Sequence, residues 1–162
     1  MSNAPREYPD RPWVGIGCIV FREEAVLLVR RGKPPRIGQW SLPGGAQHVG
    51  ERAEEAARRE LREEASVEVG QMALAYVFDA INHDDDGRAR YHYTIIDFAA
   101  LWLEGEGRAG DDVSEVAWAL PHELHAYDLT EAAHEAIAAA RVALGLGWQV
   151  TAAANFPVCD TA

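Results

Sequence analysis

The chain has 162 residues, 48% of them apolar and 25% charged, which is enough for one globular domain with its own core. Its net charge of −11 argues against a nucleic-acid binder, because no basic surface stands out to neutralise a phosphate backbone. No apolar run approaches the ~20 residues that span a bilayer, and no signal-peptide pattern opens the sequence. The expectation is a soluble cytoplasmic protein with no membrane partner. Its two cysteines, Cys18 and Cys159, neither make a disulfide framework nor show metal-site spacing. Cys18 lies in an apolar run and reads as core.

In chain order, residues 1–12 are polar and proline-containing and read as a loose lead-in. The stretch from Trp13 to Phe21 (WVGIGCIVF) is a strand, and Ala25 to Val29 (AVLLV) is a second, joined to it as a hairpin across Arg22-Glu23-Glu24. Arg30 to Gly38 is a loop around a proline pair. A short extended piece, Gln39 to Leu42, ends at Pro43-Gly44-Gly45. The next element is a helix from Arg52 to Ala65, with a narrow stripe of Ala53, Ala56, Ala57, Leu61 and Ala65 that brings it close to whatever it packs on. Val67 to Ile81 is extended, and Asn82 to Arg90 is a turn. Its Asp84-Asp85-Asp86-Gly87 run lacks the ligand spacing of a calcium loop. Tyr91 to Leu103 (YHYTIIDFAALWL) is a long strand rich in β-branched and aromatic residues. After an acidic, glycine-rich loop, Val116 to Leu120 is a short strand and Pro121 starts a short helix. Thr130 caps the last helix, Glu131 to Leu144, which stops at Gly145. One domain is expected over residues 13–147, with a tail at 148–162. Strands interleaved with two helices make an α/β (α+β) sandwich around a mixed sheet.

The run GGAQHVGERAEEAARRELREEASV, from Gly44 to Val67, holds the chemistry. Helical spacing puts Glu60, Glu63 and Glu64 on one face within a turn, where like charges cost a few tenths of a kcal/mol per pair. Two things can offset that cost. Glu55, Arg59 and Glu63 form an i, i+4 row, so Arg59 can hold Glu63. A hard divalent cation, Mg2+ or Mn2+, would also accept carboxylates together with a backbone carbonyl, which the Gly44-Gly45 path could aim at the same spot. Glu51 lies one turn earlier and can reach back. From the residues alone, a metal site and a solvated charged face both remain open.

Gly45, Glu51, Arg59-Glu60-Leu61, Glu63-Glu64 and Ser66-Val67, at their spacing, resemble the Nudix box. The segments LLVRR, GQWSLPGG, YHYTIIDFAA and DDVSEVAWALPHEL extend that resemblance over most of the chain, and the combination is most similar to the ADP-ribose pyrophosphatase-like branch. The resemblance implies a Nudix-type α/β/α sandwich and Mg2+-dependent hydrolysis of a nucleoside diphosphate linked to another moiety. It implies Glu60 and Glu64 as primary metal ligands, Glu63 as ligand or water activator, and the Gly44 carbonyl in the inner sphere. Glu51 would be a ligand or its neighbour, and Arg59 would orient Glu63. Two positions depart from the pattern: Ser66 stands where the box has glycine, and His48 where the loop often carries glutamate.

Further candidates are Arg31 for a phosphate, Trp40 and Tyr93 for stacking on a base, and Asp111 or Asp112 as an additional acid. Each also has an ordinary reading as surface charge, core aromatic or acidic turn. His92 reads as structural. The expected partner is a small nucleotide, with a homodimer in keeping with the resemblance. The alternatives are a nucleoside triphosphate pyrophosphohydrolase and a non-catalytic nucleotide-sensing module. The intact glutamate set argues against the sensing module.

Overall fold

The structure, a computed structural model, describes residues 6–34, 36–110 and 112–146. Continuous apolar runs, buried on both faces, give the strands β1 (Trp13–Arg22) and β2 (Ala25–Arg31). These are followed by the short β3 (Trp40–Ser41) and β4 (Gly44–Ala46). The alanine-striped helix α1 spans Ala53–Ala65, the long strands β5 and β6 span Glu68–His83 and Ala89–Glu104, and β7 spans Val113–Ala119. A 3-10 helix at Pro121–Tyr127 leads to α2, Glu131–Ala143. Thr130 caps α2 by accepting a hydrogen bond from the Ala133 N–H.

The strand order is β3-β2-β1-β6-β5, with β4 paired to β1 and β7 to β2. The expected β1–β2 hairpin forms, but only Phe21↔Val26 and Arg22↔Ala25 are paired. Beyond those pairs the strands part: β4 takes the same edge of β1 from Gly15 to Gly17, β3 takes the facing edge of β2 at Val29 and Arg30, and β7 lines the other edge of β2. On its other edge β1 runs parallel to β6, from Trp13↔Tyr93 to Phe21↔Leu101. β7 begins three residues earlier than the pattern of apolar residues marks, at Val113.

Two cores lie on the two faces of the sheet. Ile16, Cys18 and Val20 meet Ala56, Ala57, Leu61 and Ala65 of α1 on one face. Ile19, Phe21 and Ala99 meet Ala136, Ile137 and Ala140 of α2 on the other. This is the expected α/β/α sandwich, and Cys18 is core, 1% exposed. Among the described residues, no helix is long and apolar enough to cross a membrane.

Two residues of the lead-in, Glu7 and Tyr8, are held against the β5–β6 turn. The Tyr8 N–H donates to the Arg90 carbonyl, its hydroxyl to Asp84, and Glu7 accepts from Arg90 and Tyr91. The Asp84 carboxylate also closes the β5–β6 turn by accepting from the N–H groups of Asp86 and Arg88.

Candidate active site

The site is built where β4 hands the chain to α1. Gly44 is pressed against β1: a Cβ there would lie 2.3 Å from the Ile16 carbonyl oxygen. Gly45 is equally close to the helix, since a Cβ would lie 2.3 Å from Glu60 Oε1. The glycine pair is therefore what lets the Glu60 carboxylate pack onto the strand. The Gly44 N–H donates to Glu64 Oε2 at 2.9 Å, which ties the last turn of the helix to the same strand. Glu55 accepts from the Arg52 N–H and closes the first turn.

Arg59 is the hub. Its Nε and Nη2 grip both oxygens of Glu51, at 2.7 and 3.1 Å, in a fork-to-fork pair. Its Nη1 donates to Glu60 at 2.6 Å and to Glu63 at 3.2 Å, and Nη2 reaches the Ala46 carbonyl. The expected pairing with Glu63 is present but is the longest of these contacts, and Glu51 is the principal partner. This follows from the loop, which folds back so that Glu51 also accepts from the His48 N–H. The hydrogen bonds from Arg59, helped by the one from His48, hold the Glu51 carboxyl down at about 2, and its carboxylate in turn raises Arg59 above its ordinary value. Glu51 and Glu60 keep 15% and 13% of their side chains exposed, and Glu63 keeps 45%. His48 is an exposed loop residue.

Among the described residues, no three acidic or histidine side chains converge into a finished cage for a metal ion, because the guanidinium stands between the carboxylates. The donor set still fits a hard divalent cation: three carboxylates lie on adjoining turns beside the Gly44-Gly45 backbone, and the outermost, Glu63, is half exposed and able to turn.

The other sequence candidates divide. Trp40 lines a cavity of about 590 Å3 with Arg30, Arg36 and Tyr127, and its ring meets Tyr127 edge-on at 5.0 Å. Arg30 is engaged by the Gly38 carbonyl and Glu115. Arg31 is exposed at the end of β2. Tyr93 is half-buried on β6 beside Trp13, away from that cavity's lining. Asp112 is paired with Lys33, and Asp111 lies outside the described residues. The loop before these two aspartates nevertheless packs on the end of α1, since the Gly110 N–H donates to the Glu64 carbonyl and that of Arg108 to the Ala65 carbonyl. Ser66 adopts a left-handed conformation, φ 53° and ψ 43°, as the helix cap, which is the geometry that favours glycine there.

Two groups escaped the sequence reading. Arg58 clamps α1 to β5 through the Val69 and Gly70 carbonyls, each at 2.8 Å. Asp97 is 3% exposed, accepts no hydrogen bond among the described residues, and is pushed up to about 6 by burial. Its signal in the sequence was a lone acid inside YTIIDFAAL.

The NUDIX domain model matches residues 11–140. An ADP-ribose pyrophosphatase of Methanocaldococcus jannaschii is 34% identical over 104 residues, 64% of this chain and 59% of that protein, so the match spans less than two thirds of that relative. A nucleoside triphosphatase NudI of Salmonella heidelberg is 36% identical over 130 residues, 75% of this chain and 86% of that protein. Among solved structures, a MutT NUDIX hydrolase from Burkholderia pseudomallei superposes with a TM-score of 0.66 at 29% identity, covering 80% of this chain and 98% of that one. The NUDIX domain of Shewanella oneidensis NrtR complexed with ADP ribose shares the fold, with a TM-score of 0.69 at 22% identity over 83% and 90% of the two chains. With its sandwich, its glycine-pinned helix and its set of glutamates, the chain belongs to the NUDIX family, whose relatives here are hydrolases of phosphoric anhydrides.

Proposed function

We propose that this hydrolase cleaves a nucleoside diphosphate linked to another moiety, with ADP-ribose going to AMP and ribose 5-phosphate, and that it works with Mg2+ or Mn2+. The observation that carries the reading is the gathering of Glu51, Glu60 and Glu63 on Arg59, with Glu64 pinned to Gly44. Glu60, Glu64 and the Gly44 carbonyl would hold the cation, and Arg59 keeps Glu51 and Glu60 in place beside it. When bound, the cation neutralises the charge that makes a pyrophosphate kinetically inert and lowers the pKa of nearby water. Glu63, the most exposed carboxylate of the set, takes the proton of the attacking water. The water oxygen bonds to phosphorus, the bridging P–O bond breaks, and the two monophosphates leave.

The aromatic and basic cavity around Trp40 is of a size that suits one half of such a substrate. Trp40 and Gly44 are four residue steps apart, at most about 14 Å of chain, so one substrate molecule can bridge cavity and glutamates. The protein's net charge of −11 favours a diphosphate over the more highly charged triphosphate. The similarity to NudI, which covers more of that relative than the other match does, favours triphosphate hydrolysis as the second reading.

The test compares kcat/KM for ADP-ribose and each nucleoside triphosphate at one Mg2+ concentration, with product identified. ADP-ribose should lead, and activity should vanish in excess EDTA. A preference of about tenfold or more for a triphosphate reverses the ranking, and full activity in EDTA removes the mechanism.

A further inference from the structure

The alternation of β6 places Tyr93, Ile95, Asp97 and Ala99 on one face of the sheet. Parallel pairing sets them beside Trp13, Gly15, Gly17 and Ile19 of β1. Under α2 this face is ordinary core, since Ile19 and Ala99 are fully buried against Ala136, Ile137 and Ala140. One step along each strand the packing changes. Gly15 and Gly17 contribute no side chain, Tyr93 and Ile95 are only half-buried, and none of these four belongs to the core under the helix. Gly15 and Gly17 are themselves buried, with the Ile95 side chain over Gly15 and the Asp97 carboxyl over Gly17, so this row ends in a carboxyl where the core under α2 has apolar side chains.

Asp97 is no filler for that space. Its Oδ1 lies where a Cβ on Gly17 would stand, 2.0 Å away, so the carboxyl leans over Gly17 and needs a glycine there. The same Cβ position is 3.8 Å from the Pro43 carbonyl oxygen, so the lean is toward the strand that carries the catalytic loop. Pairing sets Asp97 beside Gly17, and Gly17 beside Gly44 on its other edge; Gly44 holds Glu64. Two strand spacings, about 10 Å, therefore separate Asp97 from the Gly44 backbone that holds Glu64, which is the scale of a nucleotide. Burial alone raises the Asp97 carboxyl, and no cation offsets it among the described residues. A buried carboxyl without a donor is costly, and folding gains nothing visible from it.

We propose that Asp97 selects the nucleoside half of the substrate, its carboxyl oxygen accepting a hydrogen bond from an N–H of the base or an O–H of the sugar. The inference rests on the nucleotide-hydrolase reading above. As a carboxylate Asp97 has no donor to offer a phosphate and repels it, so phosphate is the poorer partner. The row from Asp97 to Gly44 gives the order of the bound molecule: nucleoside at Asp97, phosphates at the glutamates.

The experiment takes Asp97→Asn, which keeps size and shape, with Asp97→Ala as a second variant. It measures kcat and KM for ADP-ribose, the ribonucleoside triphosphates and their 2′-deoxy counterparts with Mg2+, and Tm without ligand. KM for the preferred substrate should rise about tenfold or more while kcat stays within about threefold. Discrimination should flatten: between bases if the donor is on the base, between ribo and deoxy forms if it is on the sugar. Tm should rise, as expected when a group is kept for binding at a cost in stability. A uniform loss across all nucleotides, or unchanged KM values, overturns the proposal, and so does a fall in Tm in both variants. If the wild-type protein hydrolyses no nucleotide, the hydrolase reading fails separately. Calorimetric binding of the same nucleotides with Ca2+ then decides: weaker binding by Asp97→Asn upholds the role of Asp97, and equal binding removes it.

Discussion

Glu51 and Glu60 beside α1 and the carboxyl of Asp97 are acids held largely away from bulk water, but only the glutamates have a partner. Glu51, Glu60 and Glu63 share one guanidinium, whereas Asp97 has neither a cation nor a donor among the described residues. Like charges on a helix turn are tolerated when a fixed opposite charge stands between them. A single charge inside a sheet has no such relief and titrates upward instead. The difference teaches that the cluster is partly self-compensated, while Asp97 has no such compensation among the described residues.

The largest effect should come from breaking the first region's chemistry without its packing. Glu60→Gln keeps an acceptor for Arg59 but removes a charge, so turnover should fall by about 10^2 to 10^4 with little change in Tm. Near-normal turnover would mean that Glu60 is not needed to hold the cation. The same comparison is the reason to make Glu63→Gln, whose exposed side chain should be dispensable for stability but not for rate.

Removing the compensation comes next. Arg59→Met leaves Glu51 and Glu60 mutually repelling and mostly buried, and should cost about 3 kcal/mol in urea unfolding. Saturating Mg2+ should restore part of that loss, because a bound cation takes over the neutralising role. Equal Mg2+ stabilisation of wild type and variant would show that cation and guanidinium do not act on the same carboxylates.

The second region predicts a pH dependence of opposite sign to the first. The Asp97 carboxyl ionises near 6 in the native state against an ordinary 3.8. The native protein therefore holds a proton that the unfolded chain has lost between those values, and stability falls as pH rises through them, by about 3 kcal/mol. Glu51, at about 2 against 4.5, contributes stability that is present above 4.5 and lost as pH falls toward 2. Chemical denaturation from about pH 4 to 8 should show a stability advantage of Asp97→Asn at the alkaline end and its disappearance at the acid end. A pH-independent difference would mean that Asp97 is not the titrating group.

The smallest effect lies outside both regions. Ser66→Gly relieves a left-handed cap and should add about 0.5 kcal/mol, with turnover unchanged. A change in rate would tie the end of α1 to the chemistry.

Local spacing made much of this molecule legible. The offsets of Glu60, Glu63 and Glu64, the alanine stripe of α1, the Thr130 cap and the apolar runs of β1, β2 and β6 all depend on neighbours within a turn or a pleat, and such relations survive in a linear text. The Nudix-like run could be read for the same reason: its parts lie within 24 consecutive residues. What only tertiary structure decided involves partners that are distant along the chain or brought together by a bend. The pairing of β1 with β6 joins residues 80 apart, and the entry of β4 opened the expected hairpin. The fold-back at His48 gave Arg59 to Glu51 ahead of Glu63. Asp97 was visible as an acid in an apolar strand, but its burial over Gly17 needed the register of two strands, and strand register is set by the sheet as a whole and not by either sequence alone.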